Sequence, residues 1–164
     1  MIGVLLTNHV LSGALIGALA GRPAPAFTAG VTSHFLLDAV PHWGEWGSTR
    51  RFLRVAVPDG LISLAAMAAL MALSPAERRP AVLAGMTGAA LPDIEKPTRL
   101  FLGWSPFPAA VDRFHTRIQR EAAGRGHLEV LAAGALAVAA LVALRRPTAG
   151  AGSPGRPGRP GRRA

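Results

Sequence analysis

The chain has no cysteine and no tyrosine, and Lys96 is its only lysine. Without thiols it can form neither a disulfide nor a thiolate metal site, so any metal must be held by nitrogen and oxygen. Aromatic residues are 5% of the chain, too few for the stacking platforms that read single-stranded nucleic acid, and no specific nucleic-acid partner is expected. Charge is also scarce, at 16% of residues. The formal charge of +9 overstates how basic the body is. Six of the 18 basic residues (Arg145, Arg146, Arg156, Arg159, Arg162 and Arg163) follow Leu144. Before them the chain is only mildly basic.

What remains is apolar. Half of the 164 residues are hydrophobic and the mean hydropathy is +0.32, which suits a small polytopic membrane protein better than a soluble domain. Five apolar stretches stand out: 4–20, 25–40, 55–73, 80–91 and 127–144. The third and fifth approach the roughly 20 residues that cross a bilayer, and the shorter ones are candidates for re-entrant or internally packed segments. Between Glu95 and Gly126, Val111, Phe114 and Ile118 recur at helical spacing among charged neighbours, as on an amphipathic surface helix. The expected fold is therefore all-α: a small polytopic membrane helix bundle of 4–5 apolar helices plus one amphipathic helix. Residues 1–146 form the membrane domain, and 147–164 a disordered basic Gly/Pro/Arg tail. The setting is integral to a membrane, of bacterial plasma-membrane type, with membrane lipids as partners.

Gly13, Gly17 and Gly21 repeat every four residues, a small-residue stripe that lets a second helix approach closely, within the chain or in a homo-oligomer. Ala18-Leu19-Ala20 imitates a signal-peptidase site, but no Lys or Arg precedes the apolar run and Asn8 and His9 interrupt it, so cleavage is not expected. An internal repeat occurs at an offset of 55: Pro25, Gly30, Thr32, Leu36 and Asp38 align with Pro80, Gly85, Thr87, Leu91 and Asp93. It reads as two copies of a helix pair, each ending in a carboxylate.

The polar residues inside the apolar stretches carry the chemistry. An ionisable group at mid-bilayer costs about 2.5–3.5 kcal/mol on insertion scales, so those found there are paired, metal-bound or functional. Ser33-His34-x-x-x-Asp38-x-x-Pro41-His42 places His34 and Asp38 on one helix face, and His42 continues the row if the helix survives Pro41. His9, Asp59 and Asp93 join them. Imidazole and carboxylate without thiolate suit zinc or another divalent first-row ion. Bland readings stand beside this one. Asp59 after Pro58 is also a candidate N-cap, Asp93 a turn carboxylate, His9 a hydrogen-bonded core histidine, and His42 an interface residue beside Trp43 and Trp46. His115 and His127 flank the amphipathic segment, near helix boundaries, and are the weakest candidates.

The His34-x-x-x-Asp38…Pro41-His42 run resembles the His-x-x-x-Asp…Pro-x-His helix of the zinc-dependent phospholipase C and single-strand nuclease superfamily. With His9 and Leu91-Pro92-Asp93 it also resembles membrane-bound putative metal-dependent hydrolases of bacteria. The resemblance covers roughly residues 7–115. It implies metal ligation by His34, Asp38 and His42, with His9 and Asp93 as further ligands, and an all-helical fold. The expected function is a membrane-embedded, metal-dependent hydrolase of a phosphoester or lipid headgroup, with a divalent metal, zinc by ligand type, and Asp59 or Asp93 as general base. Two other readings compete. In one, a non-enzymatic membrane protein uses these polar residues to hold helices together. In the other, a small transporter or proton relay carries its ion on them.

Overall fold

A computed structural model describes residues 5–44 and 47–146. The basic tail, Trp46 and the start of the first apolar stretch lie outside the described residues. The architecture is all-α: α1 (Leu6–Ala20), α2 (Pro23–Ala39), α3 (Thr49–Leu73), α4 (Arg79–Ala90), a 3-10 turn (Leu91–Ile94), α5 (Glu95–Leu102), α6 (Ala109–Ile118) and α7 (Gly126–Arg145). Each of the five apolar stretches becomes one helix, and the amphipathic region becomes two, α5 and α6.

Local chemistry sets the boundaries. Gly21 ends α1 in the left-handed region, at φ 64°, and its N–H reaches the Gly17 carbonyl at 3.2 Å. Proline occupies the first turn of both α2 and α4, where a missing N–H costs nothing. Pro41 stops α2 at Ala39, so His42 falls past the helix. It sits on a two-residue strand, β1 (His42–Trp43), parallel to β2 (Glu121–Ala122). That clasp, with Arg120 N–H donating to the Asp38 carbonyl at 3.1 Å, ties the end of α6 to the end of α2.

α1 is the central helix, packed on α2, α3, α4 and α7. Val10, Leu11, Ala14, Val82, Met86, Ala140 and Leu144 form the buried core around it. Small residues bring the backbones together: a Cβ on Gly13 would lie 2.3 Å from the Gly85 carbonyl oxygen, and one on Gly30 would lie 2.4 Å from the same atom. Gly13 and Gly17 are thus a contact stripe within the chain, directed at α4. Gly21 does not belong to it, since a Cβ there meets nothing within 4 Å. The repeat partners Gly30 and Gly85 touch, and α2 and α4 form the most extensive helix pair.

Two helices are long and apolar enough to cross a membrane, Thr49–Leu73 and Gly126–Arg145, fewer than the four to five expected. The reason is length. α1 has 15 residues, α2 has 17 and α4 has 12, and at 1.5 Å per residue the first reaches only about 23 Å against a hydrocarbon core of about 30 Å. α1 and α4 bury much of their surface inside the bundle, whereas α2 buries only Ala26, Gly30, His34 and Asp38. In the two long helices only 11% and 22% of the apolar window is buried inside the protein.

Candidate metal centre

Four ligand atoms converge where α2, the 3-10 turn and α6 meet. His34, Asp38, Asp93 and His115 each offer one nitrogen or oxygen, all within 4.8 Å of one another, and this group could hold a metal ion. The i, i+4 spacing on α2 sets His34 Nε2 3.2 Å from Asp38 Oδ2. His115 Nε2 lies 2.8 Å from the same oxygen and 3.0 Å from His34 Nε2. Asp93 Oδ1 is 3.7 Å from His34 Nε2 and 3.6 Å from His115 Nε2. Zinc bonds of about 2.0–2.1 Å would set tetrahedral ligand atoms about 3.3 Å apart, close to the mean of these separations.

The tautomer of His34 is fixed by its surroundings. Its Nδ1–H donates to the Ala89 carbonyl at 2.8 Å, so the neutral ring presents a bare lone pair at Nε2. This is the orientation that a second partner imposes on metal-binding histidines. Lys96 Nζ donates to Asp93 Oδ1 and Gln119 Nε2 to Asp38 Oδ2 at 3.4 Å, so the bare His34 Nε2 has only a proton on His115 Nε2, shared with Asp38, as a partner. A cation at the centre would face all four atoms. Beside the group, His9 is fully buried and stacked on His34 with ring centroids 4.0 Å apart. Its Nε2 lies 3.4 Å from Asp38 Oδ1, and neither His9 nitrogen nor that oxygen makes a hydrogen bond. Orphaned buried polar atoms of this kind call for an unseen partner.

Neighbouring groups hold the ligands in place. Phe35 packs edge-on against Phe114 and His115, with centroids 5.3 and 5.7 Å away, seating α6 on α2. Gln119 Nε2 approaches His115 Nε2 at 3.2 Å. Arg99 donates to Glu95 at 2.8 Å and also bonds Asp112, while Ser105 donates to Asp112 at 2.9 Å. This ladder fastens α5 to α6, with Glu95 Oε1 3.7 Å from His115 Nδ1. The Glu95 hydrogen bond, with Asp112 adding to it, holds the Arg99 guanidinium above its ordinary pKa. Lys96 Nζ sits 2.5 Å from Asp93 Oδ1. Burial opposes charge on Asp93, yet the Lys96 ammonium and the nearby imidazoles keep its carboxyl below the usual range.

The other sequence candidates lie elsewhere. Asp59, expected as either a base or the cap of its own helix, caps a different one. Its carboxylate accepts from Leu6 N–H at 2.7 Å, Thr7 N–H at 3.3 Å and Thr7 Oγ1 at 2.5 Å, at the uncapped start of α1. These bonds occupy both oxygens and keep Asp59 outside the four-residue group. His42 is also outside it, because Pro41 ends the helix and its ring donates back to the Val40 carbonyl at 2.8 Å. Glu129 accepts from Asn8 Nδ2 at 2.6 Å and from Trp43 N–H at 3.3 Å, and His127 is exposed. His115, among the weakest of the sequence candidates, is the fourth member of the group. A signal was present: Asp112, His115 and Gln119 form a polar stripe at helical spacing, about 100° around the axis from Val111, Phe114 and Ile118. No family model, curated protein or solved structure matches the chain, and its class rests on this geometry: an all-helical protein with a buried His/Asp group fit for a metal ion.

Proposed function

We propose that the protein is a membrane-embedded, metal-dependent hydrolase of a phosphoester, with His34, Asp38, Asp93 and His115 as ligands and His9 behind them against Asp38. The observation that carries this reading is the convergence of four lone pairs at zinc-like spacing, with His34 held in the ligating tautomer by Ala89. A divalent ion held there supplies Lewis acidity and an activated water at neutral pH. Asp93 is the least buried of the four, and the Lys96 ammonium keeps it charged as a ligand. Lys96 carries the positive charge that faces an anionic substrate, and Gln119 orients His115. Hydrolysis then joins the water oxygen to phosphorus and releases the alcohol with a proton. The outward-facing apolar surfaces of α3 and α7 support the membrane setting.

The test is the metal content of full-length protein purified in neutral detergent, together with hydrolysis of a chromogenic phosphodiester. Stoichiometric zinc or another divalent metal, lost with activity in His34→Ala, supports the proposal. Protein that stays metal-free after incubation with zinc overturns it. The 2.8 Å contact between His115 and Asp38 favours a second reading, in which a protonated histidine and a carboxylate hold α6 to α2 without a metal. That reading predicts that His115→Ala lowers stability in metal-free protein as much as in zinc-treated protein.

A further inference from the structure

Two cavities flank Lys96, next to Asp93 of the candidate metal group, and they differ in chemistry. The first, of about 450 Å³, lies between α3, the start of α1 and α5. Its walls are almost wholly apolar, including Leu53, Ala56, Met67 and Phe101, and its charged lining residues are Asp59, Asp93 and Lys96. The second, of about 1020 Å³, runs between α5, α6 and the start of α3. It is lined by Lys96, Arg99, Arg113 and Arg117 against only two acids, Glu95 and Asp112. Both acids are engaged by Arg99, whereas Arg113 and Arg117 are exposed and make no ion pair among the described residues. Phe52, Lys96 and Leu100 belong to both walls, so the two cavities adjoin across these side chains, at the lysine that touches Asp93.

The geometry points to a membrane lipid with a phosphate head as the occupant, its chain in the apolar cavity and its head in the basic groove. This assignment rests on the hydrolase reading above and names the substrate class of that site. Charge complementarity fixes which end goes where. An anion in the groove meets an excess of guanidinium groups built for bidentate phosphate contact, while the apolar cavity has the size and lining of a small-molecule site and offers the head no partners. At the junction, the ester linking chain and head would lie beside Lys96 and Asp93. A water-soluble phosphate would leave the apolar cavity unused, and a neutral amphiphile would leave the arginines unused.

Native mass spectrometry of full-length protein in neutral maltoside detergent tests this, with hexadecyl phosphate, hexadecanol and glycerol phosphate as probes. Hexadecyl phosphate should bind one to one and more tightly than either of the others. The double variant Arg113→Gln/Arg117→Gln should weaken its binding by about tenfold or more, the scale of a lost charge-assisted hydrogen bond, without changing hexadecanol binding. Ala56→Trp, which fills the apolar cavity, should weaken both long-chain probes. Equal binding of hexadecanol, equal binding of glycerol phosphate, or indifference to the arginine pair would each overturn the assignment. Zinc content measured on the same samples separates the two ideas. Metal-free protein that keeps the preference overturns the hydrolase reading alone, and zinc-loaded protein without the preference overturns the lipid assignment alone.

Discussion

The Nε2 atoms of His34 and His115 face each other at 3.0 Å, although 81 residues separate them in sequence. Two neutral imidazoles gain little from such a contact unless a cation or a shared proton lies between them. If that partner is a metal, removing either ring deletes one of the ligands. His34→Ala and His115→Ala should each reduce bound zinc from one equivalent to a trace, measured by elemental analysis after desalting. His127→Ala, at an exposed histidine, should leave it at one. Equal retention in all three variants would sink the metal assignment.

Both histidines must be neutral to ligate, so protons compete with the metal for them. Zinc should therefore be held at neutral pH and released on acidification. Dialysis against buffers of decreasing pH, followed by zinc analysis, measures this. Retention that does not change with pH would mean that carboxylates alone hold the ion.

Asp59 separates stability from the site. Its carboxylate caps α1 from across the bundle, accepting from Leu6 N–H and Thr7. Asp59→Ala should destabilise the fold by about 1–2 kcal/mol, as the loss of a good helix cap does, and Asp59→Asn by less because one acceptor oxygen remains. Thermal unfolding in detergent reads the difference. Zinc content should not change in either variant, and loss of zinc in folded Asp59→Asn would return Asp59 to the site.

Gly85 is where the helices of the site come closest. A Cβ there would lie 2.2 Å from the Gly13 carbonyl oxygen, which is backbone and cannot swing aside. Gly85→Ala should therefore push α1 from α4 and cost about 1–3 kcal/mol, the range for overpacking. Because α4 leads into Asp93 and its Ala89 carbonyl holds His34, zinc affinity should fall as well. Gly134→Ala, with nothing within 4 Å of the new methyl, is the matched control: it should leave zinc affinity unchanged and raise stability by up to about 1 kcal/mol, as Ala for Gly inside a helix does. A lowered melting temperature in Gly85→Ala with full zinc affinity would show that the packing and the site are independent.

These tests also show what the sequence makes legible. The repeat aligned Asp38 with Asp93, and both carboxylates arrive at one point because their helices pair through the equivalent Gly30 and Gly85. Helical spacing alone put His34 beside Asp38. Local patterns could not place His115, because the contact depends on how α6 is clasped to α2 by β1 and β2, a tertiary event between distant segments. The case of Asp59 is similar. Proline before a carboxylate marks a cap, but nothing local says which helix is capped. The number of membrane-length helices was overestimated for a different reason, since apolar composition looks the same whether a helix faces lipid or its neighbours.

Lys96 gives a prediction whose sign is informative. Its ammonium lies 2.5 Å from Asp93 Oδ1, the oxygen that the metal group would use. With a metal bound, the two cations would repel across a partly buried site, where screening is weaker than in water. Lys96→Gln should therefore tighten zinc binding, by about tenfold given the strength of partly screened charges at this range. Competition with a chromophoric chelator measures the affinity directly. In the same variant, hydrolysis should fall, because the charge facing the substrate is gone while the metal is held more firmly. Weaker zinc binding in Lys96→Gln would mean that the lysine organises Asp93 for the site rather than competing for it.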